Sequence, residues 1–147
     1  MSNTNIGSEL AETLLTKNVP VLHPHKKVKE AINCLNEVLN TVSFKDYFHA
    51  NTDVKLTLAY FYLMIKEYDL VEITLKSVSR KIKSEHPDKY NHILHLIKVF
   101  DIEVSSNGSE KGIAKCRDFF TLFLANNTKS NEILMHLVPE LKKRYQS

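Results

Sequence analysis

Glycine and proline are scarce: three and four in 147 residues. That scarcity disfavours a turn-rich all-β fold and leaves no glycine-rich loop to cradle a phosphate. HExxH, GxSxG and paired-carboxylate patterns are absent too, which points away from an enzyme. Cysteine is equally sparse. Cys34 and Cys116 lie too far apart in sequence for a disulfide framework or a zinc site, so they read as buried thiols in a reducing compartment. No stretch approaches eighteen uninterrupted apolar residues, and no basic segment followed by an apolar one opens the chain. The expectation is a soluble cytoplasmic or nuclear protein without a membrane segment. Charge of one sign is lacking as well, with a formal net charge of +3, so electrostatics alone names no partner.

What remains is rich in Leu, Ile, Val, Lys and Glu, and 43% of the residues are hydrophobic, enough for one buried core. The reading is an all-α protein: a loose N-terminus over 1–7, then a single helical domain over 8–147 with about seven antiparallel helices. Ser8 caps a short helix to about Lys17, and Pro24 opens a longer one with Val28, Ala31, Ile32, Leu35, Val38, Leu39 and Val42 on one stripe. Asn51 to Asp53 offer caps for a central helix from Val54, which is apolar on nearly every side and must therefore be covered on two. Asp69 opens the return helix, with Val71, Leu75, Val78 and Ile82 inward. Later helices follow around Ile93 to Val104 and Ile113 to Phe123, separated by the loop Ser105 to Ser109, whose last serine is a cap. Ser130 is expected to cap a last helix, and Pro139 to kink or restart it.

Leu58, Ala59 and Tyr62, then Val71, Leu75 and Val78, resemble the packing positions of one tetratricopeptide (TPR) unit covering about residues 52–85. Similar triplets, Ala31, Leu35, Val38 and Gly112, Cys116, Phe119, flank it at about 40 residues, longer than the usual period. Lys55 stands where the family prefers an aromatic, and Val71 and Val78 exceed its preferred alanines. The resemblance implies helical hairpins stacked into a short right-handed array or compact bundle. It also implies a partner groove on the first helix, here Leu56, Tyr60, Leu63 and Met64, beside Asp53. That face is too apolar for a carboxylate clamp. Either a partner's amphipathic helix fills it or the chain's own N-terminal helix does, through Leu10, Leu14 and Leu15.

Seven histidines invite a search for a metal site. His92 and His95, with Asp88 a turn earlier, and the pair His23 and His25 lack third and fourth ligands at a recognisable spacing, so no metal and no cofactor is expected. Three basic clusters stand out: Lys26, Lys27 and Lys29; Arg80, Lys81 and Lys83; Lys142, Lys143 and Arg144. Interleaved acids make them read as solvated helix faces, unless they converge. The function expected is therefore protein–protein interaction, by an adaptor or chaperone-like subunit of a larger complex, with self-association as a simpler outcome. The alternative is a helical nucleic-acid-binding protein using the basic clusters.

Overall fold

A computed structural model of the chain describes residues 24–43, 47–128 and 132–146. Among the described residues the fold is all-α, with six helices: α1 (Pro24–Thr41), α2 (Phe48–Met64), α3 (Tyr68–Glu85), α4 (Asn91–Ser105), α5 (Glu110–Asn126) and α6 (Val138–Tyr145). Each packs on the next as sequential antiparallel hairpins, and α2 also reaches α4. The helix expected over 8–17 and the loose segment 1–7 lie outside the described residues.

Pro24 does sit in the first turn of α1, where its missing N–H loses no helical bond. The central helix begins earlier than its polar residues suggest. Asn51, Thr52 and Asp53 are interior rather than capping, because Phe48 packs its ring 4.4 Å from His86 and 4.8 Å from Tyr90, so the helix gains a turn at its start. Pro139 falls in the first turn of α6, so of the two expected outcomes it restarts the helix rather than kinking it. Ser130 lies outside the described residues.

Two turns close with left-handed residues. After α2, Lys66 takes φ 60 and the Glu67 N–H reaches back to the Tyr62 carbonyl at 3.0 Å. After α4, Asn107 and Gly108 take φ 56 and 71 and the Gly108 N–H reaches the Glu103 carbonyl at 2.9 Å. This backward bond satisfies carbonyls that the helix end leaves orphaned. Ser109 then caps α5, its Oγ accepting from the Gly112 N–H at 3.1 Å. A Cβ on Gly112 would stand 1.8 Å from Ser106 Oγ, so only glycine lets α5 start this close to the end of α4.

The core runs through all six helices. α2 is buried around most of its circumference, as its apolar faces require, and contributes Val54, Leu56, Leu58, Ala59, Phe61 and Leu63. Val71, Leu75, Val78 and Ile82 of α3 face it, and Phe100, Phe120, Phe123 and Tyr145 fill the other end.

Candidate functional site

The groove expected on α2 is not open. Leu56 and Leu63 are 0% and 2% exposed, and Tyr60 is 6% exposed with its ring 6.2 Å from Phe100 of α4. Burial raises the Tyr60 hydroxyl above its ordinary pKa, and the charges of Arg144, Glu140 and Glu103 also act on it. Tyr60 is thus packed against α4, and of the four residues only Met64 remains exposed. An apolar face wide enough to be covered twice was covered by the fold itself.

Beside Tyr60 lies a buried polar cluster that the sequence reading missed. Glu103 of α4 is 1% exposed, and Arg144 of α6 grips both its oxygens, Nε donating to Oε1 at 2.8 Å. The Tyr145 hydroxyl donates to the same Oε1 at 2.7 Å. Arg144 is held firmly cationic by its hydrogen bond to Glu103, which outweighs burial, whereas burial and the Glu103 charge push the Tyr145 phenol well up. A signal was present in the sequence: Glu103 falls four after Val99 and three after Phe100, on the core stripe. Glutamate at such a position needs buried partners.

Cys116 lies nearby, its thiol donating to the Val99 and Gly112 carbonyls at 3.3 and 3.4 Å. Burial, then the Glu103 charge, push this thiol up to about 11. Its thiolate is thereby disfavoured, the opposite of what a nucleophile needs.

His92 and His95 face different rings. His92 is buried, stacked 6.1 Å from Phe123, while His95 turns toward Phe119 at 6.5 Å. Among the described residues no three His, Cys, Asp or Glu side chains come together in a metal-binding arrangement. His23 lies outside the described residues.

Of the basic clusters, the last is split by the fold. Arg144 is committed to Glu103, and Lys143 stands 3.5 Å from Glu140. Lys26, Lys27 and Lys29 occupy the first turns of α1. The cluster on α3 gains a member from the neighbouring helix, since Lys55 of α2, half-buried, donates to Ser77 Oγ at 2.9 Å. Burial, and then the Lys81 charge, lower the Lys55 pKa. A shallow groove of about 650 Å³ runs along this face, lined by Ile73, Lys76, Ser77, Arg80, Lys81 and Ser84. Ile73 is 65% exposed and Leu70 is 38% exposed one turn earlier. Lys83, although on the same helix, is not among the lining residues. Among the described residues, no carboxylate makes an ion pair with Lys55, Lys76, Arg80 or Lys81.

No protein-family profile, curated protein or solved structure matches this chain.

Proposed function

We propose that this chain is a non-enzymatic protein-interaction module, an adaptor or chaperone-like subunit that holds a segment of another protein on the outer face of α3. The observation that carries this reading is the alignment of Leu70 and Ile73 with Arg80 and Lys81, which form no ion pair among the described residues, and with Lys76, whose charge also acts on Asp101 of α4. Single exposed apolar side chains are ordinary on any surface. A continuous apolar-to-cationic stripe on one helix is a more specific feature. The TPR-like character of the α2–α3 hairpin supports the same class, since Leu58, Ala59, Val71, Leu75 and Val78 are all buried between helices. The surface used differs from the TPR groove, which here is filled by the chain.

The second reading, nucleic-acid binding, draws on the gathering of Lys55, Lys76, Arg80 and Lys81. A pull-down from the protein's own cell extract, at low and high salt and with and without nuclease, separates the two. Partners that survive both treatments support the interaction module, and loss under both supports nucleic acid.

A further inference from the structure

The α3 stripe is graded along its length. Leu70 and Ile73 supply an apolar end, and Lys76, Arg80 and Lys81, joined by Lys55, supply a cationic end about 10 Å further along at the helical rise. Lys76 and Arg80 are four residues apart, one turn, so their charges repeat at the spacing at which another helix repeats its own side chains. The cations are distributed along the stripe rather than gathered on one point, which suits several single charges better than one dianionic group. Asp69, Glu72 and Glu85 are exposed on the same helix. These acids oppose any anion laid along the whole helix, but a phosphate backbone, unlike a helix, also offers no large apolar side chain for Ile73.

Resting on the interaction-module reading, we propose that this stripe docks an acidic amphipathic helix of a partner protein. The helix would place a bulky apolar side chain against Leu70 and Ile73 and carboxylates, one turn apart, against the cations. Burying the apolar end supplies adhesion, and the carboxylates set the direction of docking, since a reversed helix would leave Ile73 facing charge.

The test selects ligands from a display library of random peptides about four helical turns long, using the full chain as bait. An enriched peptide is then titrated by fluorescence anisotropy against the wild type and two variants, Ile73→Asp and the pair Arg80→Glu with Lys81→Glu. All three positions are partly or fully exposed, so far-UV circular dichroism should be unchanged. Enrichment of acidic peptides with one bulky apolar residue, and affinity losses of about tenfold or more in each variant, are the expected result. Selection without acidic enrichment, or affinities unchanged in both variants, overturns the proposal. Tighter binding of a DNA or RNA oligonucleotide, lost with Arg80 and Lys81 but indifferent to Ile73, reassigns the surface to nucleic acid. The chain's own residues 8–17 carry Glu9, Glu12, Leu10, Leu14 and Leu15. If Glu9→Lys with Glu12→Lys strengthens peptide binding, the occupant is this segment, and the partner is ruled out. Should salt- and nuclease-resistant partners persist undiminished in both α3 variants, the interaction module stands and only this docking surface falls.

Discussion

A carboxylate as enclosed as Glu103 is tolerable only because Arg144 and Tyr145 supply three hydrogen bonds to it. Removing the acid alone leaves a guanidinium and a phenol without their partner. Glu103→Ala is therefore expected to destabilise the fold by about 3–5 kcal/mol, and Tyr145→Phe by about 1.5–3 kcal/mol, in urea unfolding. Pairing Glu103→Met with Arg144→Leu should recover much of the first loss, since an apolar pair replaces a desolvated ionic one. If Glu103→Ala unfolds at the wild-type midpoint, the cluster is not structural. Individual residues were legible where burial followed periodicity, as for Val71, Leu75, Val78 and Ile82. They were illegible where the outcome depended on a partner distant in sequence. Arg144 is 41 positions from Glu103, and read along its own helix it is one more cation in a basic run.

At the level of elements, helix ends marked by turn chemistry could be read directly: Pro24 and the loop ending at the Ser109 cap. Ends decided by tertiary packing could not, as Phe48 shows by drawing α2 past its polar residues. The approach to α6 is the least regular described part of the chain. Asn127 bridges it with its side-chain amide, donating to the Ile133 carbonyl at 3.0 Å and accepting from the Ile133 N–H at 2.8 Å. Leu134 is buried at φ 57, a conformation disfavoured for leucine, and its carbonyl receives the Leu137 and Val138 N–H groups. His136 follows with both ring nitrogens buried and no hydrogen-bond partner for either, and burial lowers its pKa to about 4. A histidine held neutral in this way binds its proton more readily in the unfolded chain. Its contribution to stability is whole above about pH 6.5 and is lost as pH falls from there toward 4. Thermal melts from pH 7 to pH 4.5 should show a decline that His136→Leu reduces by about 1–2 kcal/mol, after allowance for solvent that still reaches the ring. Parallel declines in the two proteins would remove His136 from the acid response.

Across the whole molecule, stability should follow the order of packing. Among the described helices α1 rests on α2 alone, while α2 is bounded by α1, α3 and α4, and α4 and α5 share the most extensive pairing. Hydrogen exchange should accordingly find α1 amides opening first and those of α2, α4 and α5 last, near the global unfolding free energy. Equal protection in α1 and α4 would show that the hairpins unfold as one unit. The helical class and the sequential hairpins could be read from periodicity and short connections. Which element covers which face could not, because Tyr60 offers the same apolar surface to a partner, to an N-terminal helix or to Phe100, and only the closed chain chooses.

The separation between Glu103 and Arg144 also bears on how the protein is made. A ribosome adding about 5–20 residues per second needs roughly 2–8 seconds to travel from the acid to its guanidinium. Late in that interval, once Glu110–Asn126 has followed, α4 and α5 can pair, but their junction carries a carboxylate with no counter-charge and must stay wet. The drying of this core is consequently timed by the last turn of α6.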